Sequence, residues 1–85
     1  MSDDPTFKVY VKPGCPWCTQ AISYLDKEGY EYEAIDVISN PDKFAEMEEI
    51  SGQTYAPTLT YGDLMLADFG VDELIPFLEE NGLAN

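Results

Sequence analysis

Between Phe7 and Leu25 the apolar residues change their period, and the change falls on Pro13-Gly14-Cys15-Pro16. Phe7, Val9 and Val11 alternate with Lys8, Tyr10 and Lys12, the period of a strand, and Pro13-Gly14 stops it. Pro16 suits a first helical turn, where its missing N–H does no harm. Trp17, Ala21, Ile22 and Leu25 then recur at helical spacing until Gly29 offers a C-terminal cap. Strand, turn and helix therefore meet at Cys15, with Cys18 three residues further on.

The rest of the chain extends this unit. Tyr32 to Val37 reads as a second strand, and a crossover helix between two strands favours a parallel, right-handed β-α-β unit. Ser39-Asn40-Pro41 caps a second helix with the apolar stripe Phe44, Met47 and Ile50, ended by Ser51-Gly52. Thr58 to Tyr61 and Leu64 to Ala67 flank Gly62-Asp63, a two-residue hairpin turn whose first position wants glycine. Asp72 is a candidate cap for a last helix with Leu74, Ile75 and Leu78, which puts Pro76 in its first turn. The expected order is β-α-β-α-β-β-α, within a single domain over residues 1–85.

Charge narrows the partners. Seventeen acidic residues against four lysines, with no arginine or histidine, give a net charge of −13, which repels nucleic acid and anionic lipid. The acidic residues are scattered, densest at Glu46, Glu48 and Glu49, and read as a solvated surface. Steering towards basic proteins and adaptation to high salt are the alternatives. Met1-Ser2-Asp3-Asp4 is acidic where a secretory signal is basic, and no apolar run approaches the ~20 residues that span a bilayer. A cytoplasmic protein without membrane partners is expected.

The cysteine pair needs a chemical explanation. Cys15 and Cys18 close a loop too short to staple the fold, and cytosolic thiols are kept reduced. A zinc site needs four ligands, and the chain has no further cysteine and no histidine, so no metal is expected. A redox pair fits. At a helix N-terminus, unpaired N–H groups and the helix dipole favour a thiolate at Cys15, and Lys12 adds a nearby cation. Cys18 lies on nearly the same helix face, within reach of a mixed disulfide formed at Cys15. Cys15 is then the attacking thiol and Cys18 the resolving one.

Lys12-Pro13-Gly14-Cys15-Pro16-Trp17-Cys18 resembles the Lys-x-x-Cys-Pro-Tyr/Trp-Cys run of the glutaredoxin family, and the resemblance extends from Phe7 to about Leu83. It implies a thioredoxin fold: an α/β architecture with a four-stranded mixed sheet flanked by helices. It further implies that Tyr55-Ala56-Pro57 stands for the family's Thr-Val-Pro. The proline there is cis and lies against the cysteines, and the backbone at Ala56 pairs with the glutathione cysteine. Phe69-Gly70-Val71-Asp72-Glu73-Leu74 is similar to Gly-Gly-x-Asp-Asp-Leu. By position Val71 supplies a backbone contact to the γ-glutamyl carboxylate and Asp72 a side-chain contact to its ammonium, while Asp72 also reads as a plain helix cap. Trp17 becomes a partly exposed platform beside the thiols. Thr54 replaces a common arginine, which leaves Lys12, with Gln53 as a polar contact, for the glycyl carboxylate.

The implied activity is reduction of protein-glutathione mixed disulfides and small disulfides, with glutathione as reductant, no bound cofactor and a monomeric enzyme. Two rivals stand beside it. Phe69 and Thr54 allow a redoxin served by thioredoxin reductase with weak glutathione binding. A [2Fe-2S] carrier is the other, and Pro16 opposes it because the related cluster-binding members have glycine at that position.

Overall fold

The structure, a computed structural model, describes residues 6–84; the acidic Met1-Ser2-Asp3-Asp4 segment lies outside the described residues. Seven elements follow in the expected order: β1 (Phe7–Val11), α1 (Pro16–Lys27), β2 (Tyr32–Asp36), α2 (Pro41–Ser51), β3 (Thr58–Tyr61), β4 (Leu64–Ala67) and α3 (Val71–Glu80). Each boundary has a local cause. Gly29 (φ 78) and Gly52 (φ 72) take the left-handed conformation that releases the chain from α1 and α2.

The sheet order is β2-β1-β3-β4, with β1 parallel to β2 and the other pairs antiparallel. Val9 stands between Ala34 and Leu59 in the register, so β1 is central. On one face Phe7, Val9 and Leu59 pack with Ala21 and Leu25 of α1 and Leu74 and Leu78 of α3. On the other face Tyr10, Ile35 and Val37 pack under Met47 of α2, with Phe44 beside them.

Four sequence expectations change. Tyr10, on the polar phase of the strand alternation, is buried, because α2 covers the second face of a central strand. Its hydroxyl donates to the Glu46 carboxylate, which also pairs with Lys43 at 3.4 Å, so Glu46 is more than a solvated charge. Ile50 is largely exposed: residues spaced by three drift about 60° per step around a helix, so the stripe through Phe44 and Met47 rotates off the sheet before Ile50. The Asn40 side chain does not cap α2. Its amide donates to the Asp36 carbonyl (2.9 Å), while the Asp36 carboxylate accepts from Ile38 and Ser39 and is held below the usual carboxylate range, chiefly by the Ser39 N–H.

The fourth change concerns α3. The Glu73 carboxylate accepts from the Gly70 N–H at 2.7 Å, half of a capping box, so Gly70 rather than Asp72 is the N-cap. The helix therefore starts at Val71, and Pro76 falls in its second turn rather than its first.

Candidate active site

Cys15 is the N-cap of α1. Gly14 takes φ 79, a conformation costly to residues with a side chain, and this turns the chain sharply enough for the Cys15 N–H to reach the Lys12 carbonyl at 3.3 Å. Pro16 follows at the first helical position. In this geometry the Cys15 sulfur itself acts as the capping acceptor, receiving the Cys18 N–H at 3.3 Å.

The two cysteines are unequal. Cys15 is partly exposed, and its thiol, when protonated, donates to the Ala56 carbonyl at 3.9 Å. Cys18 is 3% exposed. Burial, followed by the Cys15 sulfur beside it, pushes the Cys18 thiol up to about 12. Only Cys15 is thus placed to act as an outward-facing nucleophile.

The loop between α2 and β3 supplies the opposite wall. The Ala56-Pro57 peptide bond is cis, Pro57 is buried, and Tyr55 is 63% exposed. Lys12 Nζ donates to the Thr54 carbonyl (2.8 Å) and lies 5.3 Å from the centre of the Phe44 ring, so the cation ties the end of β1 to this loop. Gln53 has its amide engaged inside the loop: Nε2 lies 3.1 Å from the Tyr55 carbonyl, and Oε1 accepts from the Tyr55 N–H.

Trp17 is 58% exposed and overhangs a cavity of about 290 Å³. The first turn of α3 lines its other side with Gly70, Val71 and Asp72. The Val71 and Asp72 N–H groups stand at positions where a helix leaves its amides unpaired. Phe69, beneath them, is 3% exposed and belongs to the core.

Of the residues singled out in the sequence, Cys15, Cys18 and Ala56 meet at the thiol, Tyr55 and Pro57 flank Ala56, and Lys12 is tied to the same loop. Trp17, Val71 and Asp72 form the adjoining cavity. Gln20 and Asp68 also line that cavity and were missed. Asp68 carried one signal: at φ 53 it makes the turn from β4 into α3, and aspartate tolerates that region better than most residues.

A Cys-x-x-Cys pair opening the first helix, with the carbonyl of the residue before a cis proline at the Cys15 sulfur, on a β2-β1-β3-β4 sheet, defines a thiol-disulfide oxidoreductase of the thioredoxin fold. The chain belongs to the glutaredoxin family, whose profile matches residues 7–65 and whose members are disulfide oxidoreductases. It is 34% identical over 79 residues to a glutaredoxin of Neisseria meningitidis, covering 92% of this chain and 91% of the relative. Among solved structures it is similar to buckwheat glutaredoxin in complex with glutathione (TM-score 0.72, 21% identity, covering 93% of this chain and 73% of the other). It is likewise similar to the glutaredoxin-like NrdH-redoxin of Escherichia coli (TM-score 0.71, 24% identity, 84% and 92%). At those identities the structural likeness speaks for the fold.

Proposed function

We propose that the protein reduces protein-glutathione mixed disulfides and small disulfides with glutathione as its electron donor. One observation carries this reading: the Cys15 sulfur reaches the Ala56 carbonyl, and Trp17, two residues further on, shares a cavity with the opening turn of α3, two backbone edges that suit a short peptide. Ala56 presents its peptide on one side. Across Trp17, the opening turn of α3 presents the N–H groups of Val71 and Asp72. A glutathione joined to Cys15 would pair its cysteine with Ala56, flanked by Tyr55 and Pro57, and set its γ-glutamyl carboxylate on the α3 N–H groups. Its ammonium would meet the Asp72 carboxylate and its glycyl carboxylate would face Lys12. The buckwheat glutaredoxin was solved with glutathione bound, which supports glutathione as the ligand.

The chemistry is two exchanges. Cys15 thiolate attacks the glutathione sulfur of the mixed disulfide, and the substrate protein leaves as a thiolate that takes a proton from water. A second glutathione thiolate then attacks the bound glutathione sulfur, giving glutathione disulfide and free Cys15 thiolate. Alternatively Cys18 attacks the Cys15 sulfur, releases reduced glutathione and leaves a Cys15–Cys18 disulfide. Burial, which raises the Cys18 thiol, works against the thiolate this second route needs.

This reading takes residues 1–85 as one catalytic domain, monomeric and cytoplasmic, acting on disulfide-containing and glutathionylated proteins and not on nucleic acid or membranes. Among the described residues no helix is long and apolar enough to cross a membrane. A second reading keeps the chemistry and draws electrons from thioredoxin reductase. It is favoured by Thr54, which meets Lys12 with a carbonyl where an arginine would add a cation, and by the thioredoxin-like activity profile ascribed to NrdH-redoxin. A cluster carrier is opposed by Pro16 at the first position of α1, which stiffens the turn beside Cys15.

The test is a coupled assay with glutathione, glutathione reductase and a glutathionylated protein. NADPH consumption is expected, and a rate no greater than that of Cys15→Ser would overturn the proposal.

A further inference from the structure

In the connection between α2 and β3, the Gln53 side chain touches more groups than any other. Gln53 Nε2 lies 2.9 Å from Ser51 Oγ, 3.1 Å from the Tyr55 carbonyl and 3.2 Å from Thr58 Oγ1, and Oε1 accepts from the Tyr55 N–H at 2.6 Å. Ser51 closes α2 and Thr58 opens β3. The Thr58 side chain is fully buried, and its hydroxyl donates to the same Tyr55 carbonyl at 3.0 Å. With two N–H hydrogens shared among Ser51 Oγ, Thr58 Oγ1 and the Tyr55 carbonyl, the amide spans both ends of the connection, and its Oε1 takes the Tyr55 N–H.

Tyr55 directly precedes Ala56, whose carbonyl faces the Cys15 thiol. Residues 53–57 belong to no helix or strand, so their path depends on side-chain anchors: Gln53, Ser51 on the Gln53 carbonyl, Thr58, and Lys12 on the Thr54 carbonyl. An amide with every polar atom committed in this way is poorly placed to receive a carboxylate.

We infer that Gln53 is a positioning residue: by clamping the Tyr55 backbone it holds the Ala56 edge at the reach from Cys15 that an extended, disulfide-linked peptide requires, and it does not bind the substrate itself. The inference rests on the proposed pairing of substrate with Ala56. Loosening the loop leaves Cys15 and α1 untouched but makes each binding event order the edge afresh, so the loss appears in affinity before it appears in the chemical step.

The experiment is single turnover of the reduced protein with glutathione disulfide and, separately, with an extended peptide disulfide. Acid-quenched samples are read by mass spectrometry over a range of substrate concentrations. Wild type, Gln53→Ala, Thr58→Val and the double variant are compared, with circular dichroism as the check on folding. Gln53→Ala is expected to raise the half-saturating concentration about tenfold, the equivalent of about one net hydrogen bond. The maximal rate and the rate of Cys15 alkylation by iodoacetamide should stay within about twofold, a split that mere loss of stability would not give.

Thr58 is buried out of reach of any substrate, yet Thr58→Val should weaken saturation in the same sense, and the double variant should fall short of the product of the two singles. If Gln53→Ala weakens saturation while Thr58→Val is silent, or if the two effects multiply, Gln53 contacts substrate directly and the inference fails. Unchanged saturation in Gln53→Ala also overturns it. If Gln53→Ala does not fold, Thr58→Val alone decides: weakened saturation at an unchanged maximal rate supports the clamp, and silence refutes it. Single turnover needs no electron donor, so reaction with the peptide disulfide but not with glutathione disulfide would defeat the glutathione reading and leave the test of Gln53 intact.

Discussion

The sulfur of Cys15 receives the backbone N–H of Cys18 at 3.3 Å, so the nucleophile caps the helix that carries its own resolver. The contact orients the Cys15 sulfur and fixes Cys18 one turn behind it, on the core side of the helix. Division of labour between the two thiols follows from this arrangement.

Iodoacetamide at neutral pH should therefore modify the protein once, at Cys15. Cys18, 3% exposed and with its thiol pushed up to about 12, should react only after denaturation. Peptide mapping by mass spectrometry before and after guanidinium treatment checks both statements.

Cys18→Ser should retain most of the wild-type rate with a glutathionylated protein, within about threefold, because a second glutathione completes that cycle without it. Reduction of intramolecular protein disulfides, which needs the resolving thiol, should fall by at least tenfold. Steady-state rates on the two substrate types separate the outcomes.

Alkaline stability reports the same burial. The Cys18 thiol, raised by desolvation from about 9.0 to about 12, and the Tyr10 hydroxyl, raised by desolvation and then by its bond to Glu46, both keep their protons more tightly in the folded protein. Protons held more tightly when folded stabilise the fold below the unfolded-state value. That stability is lost as pH rises towards the folded-state value. Denaturant midpoints should be flat from neutral pH to about pH 9 and fall beyond it, and Cys18→Ala should make the fall shallower.

Pro76 interrupts α3 in its second turn, where its nitrogen has no hydrogen for the Asp72 carbonyl and its ring crowds that group. Pro76→Ala should stabilise the protein by about 1–2 kcal/mol, since a relief of about 3 is offset by about 1 from the looser unfolded chain. A rise in Tm of several degrees is expected.

Much of the fold was legible because its boundaries are written in local chemistry. Pro13-Gly14, Gly29, Ser51-Gly52 and Gly62-Asp63 each end or turn an element by their own backbone preferences, and the hairpin strands fall on the residues expected. Lys12, Cys15 and Cys18 share one contiguous run, so their meeting at the start of α1 was legible for the same reason, whereas Tyr55-Ala56-Pro57, about 40 residues away, was reached only through the family resemblance. What escaped depends on distant partners. Tyr10 is buried because of a helix and bonded to Glu46, 36 residues away, while strand alternation describes only which residues share a face. The start of α3 shifted because Glu73 reaches back to Gly70, a cap with no side chain of its own to announce it. Gln53 looked like a free polar contact, and only the folded loop brings Ser51, Tyr55 and Thr58 around its amide.

The electron donor is decided most directly by running one glutathionylated substrate with two reductant systems at equal NADPH: glutathione with glutathione reductase, and thioredoxin reductase alone. Turnover with glutathione at least tenfold faster is the predicted result. Turnover with thioredoxin reductase and none with glutathione would contradict it, and would assign the Ala56 and α3 edges to a different disulfide substrate.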